Sequence, residues 1–299
     1  MERLSFRTGK VRKEDKVRAV SELRHAFPLA GLLKLAGIPR STYYYLVRQL
    51  EREDAYTEIR DEIHSICVEN KGRYGYRRVT MELRKRGFIV NHKVVMRLMK
   101  EEHLTCRVRM KKYYSYRGEV GRISPNLIQR HFHADRPYQK LATDITEFSL
   151  YGTKLYLSPI MDMYNGEILS YVISERPVLE QVTDMLRKGF DVVPEKATPI
   201  LHSDQGWQYQ HKTYRSMLKK RGWIQSMSRK GNCLDNSVME NFFGLPKSEL
   251  FYLHTFESIE DFRKQLVEYI NYYNNKRIKG KLKGMSPVEY RTHSSLLVA

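Results

Sequence analysis

Three acids stand out for where they fall in the chain. Asp144 lies inside an apolar, strand-like run between Ala142 and Ile145, and Asp204 follows the short run Ile200-Leu201. Glu240 lies in Asp235-Asn-Ser-Val-Met-Glu-Asn-Phe-Phe243, on a helical pattern after a Gly231-Asn232 turn. An acid just past a strand stands at the edge where ligands gather in open α/β sheets. Carboxylates gathered there could hold hard divalent cations such as magnesium, which keep water and phosphate oxygens in their remaining positions. Two such ions about 4 Å apart suit phosphodiester cleavage and transfer, which need in-line geometry and positive charge on the attacking and leaving oxygens. Each acid also has an ordinary explanation: Asp144 as a surface strand residue, Asp204 as a helix cap or turn former, Glu240 as a plain helix acid. Taken singly, the ordinary roles are the commoner ones.

The charge of the whole chain favours the less ordinary one. With 53 Lys and Arg against 34 Asp and Glu in 299 residues, the formal net charge is +19. Such a balance points to a polyanionic partner, nucleic acid above all. An acidic membrane surface is the other candidate, but no apolar run approaches the roughly 20 residues needed to span a bilayer. The start MERLSFRTGKVRKEDK has no apolar signal region, so a cytoplasmic location is the default expectation. Cys67, Cys106 and Cys233 lack the short spacing of a zinc site.

The elements that must position the acids come in order along the chain. Residues 1–50 carry a helix-turn-helix outline: Leu29, Leu32, Leu33 and Ala36 form an apolar face, Gly37 and Pro39 break it, and Ser41 or Thr42 can cap the second helix. Residues 53–112 predict three amphipathic helices, around Ile59–Cys67, Val79–Leu83 and Val94–Met99, the third opened by Asn91. From Lys71 to Lys112 there are 14 Lys or Arg against 3 Glu, interleaved with Tyr74, Tyr76, Tyr113, Tyr114 and Tyr116. A run this lopsided reads as a phosphate-contacting surface. Within it Arg73, Tyr76, Arg77, Arg78, His92, Lys93 and Arg97 are the candidate DNA contacts, with one helix, the third being the candidate, entering a groove. Residues 113–137 read as a linker. Residues 138–299 then switch towards a period of 2, with strands at Leu141–Phe148, Lys154–Met163 and Glu167–Ser174 joined by tight turns at Tyr151-Gly and Asn165-Gly. A helix, a strand ending at Asp204, a helix, a strand at Trp223–Met227 and two further helices complete an α/β layer fold with a mixed sheet.

Several stretches are specific enough to show a family resemblance. Thr143-Asp-Ile-Thr-Glu-Phe148, His202-Ser-Asp-Gln-Gly-Trp-Gln-Tyr209 and Ser228–Asn232 through Asp235-Asn236 to Phe243 resemble insertion-sequence transposases of the Asp-Asp-Glu, retroviral-integrase-like superfamily. More narrowly, they resemble the second-reading-frame product of a large bacterial insertion-sequence family. The 35 residues between Asp204 and Glu240 (240 − 204 − 1) match that family's spacing. Gly72-Arg-Tyr-Gly-Tyr-Arg-Arg78, Asn91-His-Lys93, Tyr272–Ile278 and Gly284–Tyr290 also match, so the likeness covers nearly the whole chain.

The resemblance implies an RNase H-like catalytic core with a mixed five-stranded sheet and flanking helices, preceded by small helix-turn-helix-like DNA-binding modules. It implies Asp144, Asp204 and Glu240 as ligands of Mg2+, with Mn2+ as a substitute and two ions at the site. It implies cleavage at the 3′ ends of an element, then strand transfer by transesterification with no covalent protein–DNA intermediate. The partners would be double-stranded DNA, further copies of the chain on that DNA, and an upstream-frame helix-turn-helix protein or its fusion to this frame. The setting would be the bacterial cytoplasm and, in action, the nucleoid. Lys230, Lys247, Lys276 and Arg277 become candidate phosphate contacts, each with solvated surface cation as the plain alternative. One departure is Pro246, where relatives carry a helix former: either the catalytic helix ends near Gly244, or this copy is an impaired DNA-binding or regulatory product. The retroviral His-His-Cys-Cys zinc module is absent.

Overall fold

The computed structural model describes residues 13–50, 56–104, 106, 123–230 and 232–296. The start of the chain, Tyr113, Tyr114, Tyr116, the first part of the expected linker and Gly231 lie outside the described residues. The chain divides into two compact units, residues 1–62 and 63–299.

In the first unit, α1 (Lys13–Leu23), α2 (Leu29–Ala36) and α3 (Arg40–Leu50) bury Val17, Val20, Leu33, Ile38 and Tyr43 against one another. Gly37 ends α2 at φ +65°, its N–H turned back to the carbonyls of Leu33 and Lys34. A side chain there would be strained, which is why glycine closes this helix. Because α3 begins at Arg40, Ser41 and Thr42 fall inside its first turn and not at its cap. The next helix, α4 (Thr57–Glu69), crosses into the second unit and buries Ile63, Ile66 and Cys67.

The second unit opens with α5 (Tyr76–Lys85) and α6 (His92–Glu101). Asn91 caps α6 as expected, its Oδ1 accepting the Lys93 N–H at 2.9 Å. The sheet comes next: β1 (Lys140–Thr143), β2 (Thr146–Leu150), β3 (Thr153–Asp162) and β4 (Ile168–Ser174). Then come α7 (Leu179–Val192), β5 (Ile200–Ser203), α8 (Trp207–Gln210), α9 (Lys212–Arg221) and β6 (Ile224–Met227). A 3-10 turn at Cys233–Asn236 leads into α10 (Ser237–Pro246), and α11 (Ile259–Asn275) and α12 (Pro287–Leu296) close the fold.

β2, β3 and β4 pair antiparallel, while β1, β5 and β6 run parallel to one another. β1 and β2 lie end to end along β3, Thr143 facing Ile160 and Thr146 facing Leu157. The register is therefore continuous, and the sheet of six strands is the expected five with the first one interrupted at Asp144-Ile145. Across from the interruption stand Ser158 and Pro159, and proline brings no N–H to a ladder. Side chains alternate between two cores. Ala142, Phe148, Leu157 and Met161 pack under α10 and α11, while Leu141, Ile160, Leu201 and Met227 pack under α7 and α9. The result is a mixed sheet with helices on both faces, as the pattern of elements required.

α5 and α6 fall in the same compact unit as the sheet. The described end of the expected linker is strapped onto β6: the Leu127 N–H donates to Ser226 Oγ at 2.9 Å, Ser124 Oγ donates to Gln225 at 3.0 Å, and Ile128 is buried.

Pro246 does not end its helix near Gly244. α10 runs through it and continues as a π-helical turn, Lys247–Phe251, closed by the Tyr252 N–H on the Lys247 carbonyl at 2.9 Å. A proline removes one helical donor and crowds the carbonyl four residues back, here that of Phe242.

Candidate active site

Neighbouring parallel strands deliver the two aspartates. In the β1–β5 register Leu141 faces Leu201 and Ala142 faces His202. Two residues on, Asp144 and Asp204 each stand just past the strand end, near enough for the Asp204 charge to act on the Asp144 carboxyl. A backbone N–H orients each carboxylate: Ile145 donates to Asp144 Oδ1 at 2.7 Å, and Gly206 donates to Asp204 Oδ1 at 2.9 Å. Both residues are half-buried.

Glu240 arrives from a different element, the first turn of α10. What holds that turn is a buried acid that sequence reasoning quoted only as part of a motif. Asp235 is fully buried and accepts from Asn126 Nδ2, Arg130 Nε, and the backbone N, Nε and Nη2 of Arg229, all at 2.9–3.0 Å. Its main-chain oxygen accepts from His202 Nε2 at 2.9 Å. A carbonyl only accepts, so His202 carries its proton on Nε2 and takes the Ser226 hydroxyl on Nδ1, at 2.8 Å. Burial keeps the His202 pKa below its ordinary value, in line with a neutral ring. Thus β5, which leads into Asp204, and the turn into α10, which carries Glu240, are fastened through His202. Asn126 and Arg130 lie more than a hundred residues before Asp235, so no local pattern could reveal them.

The acids feel one another. Burial first, then the charge of Asp204 and that of Glu240, pushes the Asp144 carboxyl well above the usual carboxylate range; the Ile145 N–H and the Lys247 charge oppose this. Burial likewise raises Asp204. Tyr209 and Tyr214 are fully buried with rings 5.4 Å apart, and the charges of the acids act on both phenols. Buried next to two acids, the Tyr209 phenol is held far above its ordinary pKa.

Among the described residues no three His, Cys, Asp or Glu side chains form a ready-made metal cage. The donor chemistry nonetheless fits a hard divalent cation. The donors are carboxylate oxygens, crowded with like charge in a partly desolvated corner, which is the arrangement a cation stabilises.

Comparison with known proteins identifies the family. Two "Integrase core domain" models match residues 134–233 and 240–295, and an "HTH-like domain" model matches residues 53–112. The InsK protein of insertion sequence element IS150 from Escherichia coli (strain K12), named as a transposase, is 50% identical over 278 residues, covering 93% of this chain and 98% of its own. The chain belongs to the insertion-sequence transposases of the retroviral-integrase-like superfamily. A transposase-like protein of Haemophilus influenzae is 53% identical over 69% of this transposase and 94% of its own length. Among solved structures, the HTLV-2 integrase catalytic core domain covers 52% of this chain and 98% of its own at 11% identity, with a TM-score of 0.42, a level at which no residue-by-residue transfer is warranted.

The basic candidates of the transposase divide sharply. Arg77, His92, Lys93, Arg97, Lys230 and Lys276 are exposed, and Tyr76 is half-buried with its ring stacked on His92 at 6.1 Å. Lys247 is half-buried, its ammonium 5.6 Å over the Phe148 ring and its charge felt by Asp144. Arg73 and Arg277 do not fit a DNA surface: they are only 5% and 2% exposed. Arg73 donates to the Glu249 carbonyl and Arg277 grips the Glu249 carboxylate, so both guanidiniums are engaged inside the protein. Arg78 is half-buried, 3.7 Å from that same carboxylate. An exposed lysine and a buried arginine look alike in a basic sequence run, and only packing separates them. No helix among the described residues is long and apolar enough to cross a membrane.

Proposed function

We propose that Asp144, Asp204 and Glu240 form the catalytic site at which this transposase cleaves the 3′ ends of its insertion sequence and joins them to new DNA. The observation that carries the reading is the pairing of Asp144 and Asp204 at the ends of adjacent parallel strands, with the charge of Glu240 bearing on Asp144. The three carboxylates would hold Mg2+ or Mn2+, which when bound supplies positive charge to the attacking and leaving oxygens. The protein's own contribution is placement. The Ile145 and Gly206 N–H groups orient the two aspartates, and the His202–Asp235 bond keeps the Glu240 turn beside them.

The reaction is two displacements at phosphorus. Water attacks the phosphodiester at the element end; the P–O bond to the 3′ oxygen breaks and that oxygen leaves as a hydroxyl. The freed 3′-hydroxyl then attacks a second phosphodiester, forming one P–O bond as another breaks, with no covalent protein intermediate. Exposed Lys93, Arg97, Lys230 and Lys276, with Lys247 beside the site, are suited to hold the DNA backbone. Further copies of the chain and an upstream-frame partner would complete the assembly on DNA.

Purified protein incubated with Mg2+ or Mn2+ and labelled DNA carrying the element's ends tests this. Cleavage and joining should disappear in Asp204→Asn while DNA binding persists; full activity in that variant would sink the assignment.

A further inference from the structure

Glu249 has no solvent to face, yet it is charged and surrounded by cations. It lies in the π-helical turn that continues α10, and is 2% exposed. Arg277 donates to it with Nε at 2.9 Å and Nη2 at 2.6 Å, Tyr269 donates its hydroxyl at 2.9 Å, and Arg78 stands at 3.7 Å. Its main-chain oxygen takes Arg73 Nε at 3.2 Å. The Arg73 guanidinium lies against the Tyr269 and Tyr272 rings, 5.2 and 4.8 Å from their centres. Next to it, Tyr74 donates to the Lys276 carbonyl at 3.1 Å and accepts the Ile278 N–H at 3.0 Å, while Tyr272 donates to Asn70 at 3.2 Å.

These contacts join three parts of one compact unit: the residues leading into α5, the end of α11, and the helical run Ser237–Phe251 that carries Glu240 in its first turn. Burying a charged pair gains little stability over an apolar core of the same volume. Its strict geometry does specify how the joined parts sit, because each donor has one acceptable direction.

We propose that Glu249 is a positioning residue for strand transfer, fixing the α5–α6 helices in register with the helix that carries Glu240. DNA held on the exposed face of α5 and α6, at Arg77, Lys93 and Arg97, is thereby aligned with the acids. The proposal rests on the reading of Glu240 as catalytic. Glu249 touches no substrate; it acts through the element it anchors.

Glu249→Gln keeps the shape and an acceptor oxygen but removes the charge that Arg277 grips. Single-turnover strand transfer at saturating end DNA should fall on the order of ten- to a hundred-fold, the scale of a misplacement near 1 Å. The DNA concentration giving half-saturation, read by fluorescence anisotropy, should stay within about two-fold of the parent, because no phosphate contact is lost. A purely structural role predicts something else: the rate per folded molecule, with the folded fraction taken from the melting curve, would equal the parent's, and that result overturns the proposal. If Glu249→Gln does not fold, Tyr269→Phe decides. Losing one hydroxyl donor should slow transfer about three-fold at unchanged half-saturation, and an unchanged rate overturns the idea. Glu240→Gln runs alongside. An active Glu240→Gln breaks the underlying reading of the site, whereas an inactive one beside a fully active Glu249→Gln breaks only this proposal.

Discussion

Asp144 and Asp204 are neighbours across a parallel strand pair, each two residues beyond the last paired positions, Ala142 and His202. Sixty residues apart in sequence, they are brought together by a register that places like charges side by side. Such an arrangement is unfavourable without a cation, and this makes it measurable.

Without metal, the Asp144 charge should destabilise the fold. Its folded pKa is raised above the unfolded value of about 3.9. The stability it contributes is therefore complete below that value and lost as pH rises through the raised folded pKa. At pH 7.5 in chelator, Asp144→Asn should melt higher than the parent, by about 3 °C for each kcal/mol relieved, and the gap should close towards pH 4. Adding Mg2+ or Mn2+ should raise the parent's melting temperature more than the variant's. A variant that melts lower than the parent at pH 7.5 without metal would contradict the crowding.

Asp235 has the opposite sign. The Arg229 guanidinium, with further help from the Arg229 N–H and Arg130, holds its carboxyl well below the ordinary range. Its stabilising effect is present above the unfolded pKa and is lost only as pH falls through the depressed folded value. Asp235→Asn should lower urea-unfolding stability by about 2 kcal/mol near neutral pH, since buried donors lose their charged acceptor. It should also slow strand transfer by loosening the turn before Glu240. An unchanged unfolding midpoint would mean that the network is slack.

The division between exposed and buried cations predicts two kinds of variant. Arg77→Ala and Lys93→Ala should weaken DNA binding similarly on all sequences and each reduce the salt slope of log K by about 1. Arg73→Ala should leave that slope alone and lower the melting temperature, because Arg73 is packed between Tyr269 and Tyr272 and bonded to Glu249. Anisotropy titrations across a salt series, paired with thermal melts, separate the two; a change of slope in Arg73→Ala would put that residue back on the DNA surface.

Pro246 tests whether the π-helical turn is tolerated or needed. Pro246→Leu restores a backbone donor at the point where α10 passes into the wider turn. Strand-transfer activity should not fall, and the melting temperature should hold or rise. A clear loss of activity would show that the proline serves the position of Glu249 and Glu240.

Much of the fold was written in local sequence. Strand and helix order from Leu141 to Tyr273 comes from periods of 2 and 3.6 together with turn residues such as Asn165-Gly166, because those periodicities decide which face of an element can be buried. The family was legible too, since the motifs around Asp144, Asp204 and Glu240 are contiguous and their spacing is fixed, and the same motifs named these acids as the candidate site. What the tertiary structure alone decided is long-range. The interruption of the first strand opposite Pro159, the clamp of Asn126, Arg130 and Arg229 on Asp235, and the burial of Arg73 and Arg277 around Glu249 all join residues distant in the chain. A residue type states what charge a side chain carries; whether that charge meets water, DNA or a buried partner depends on which distant segment folds against it.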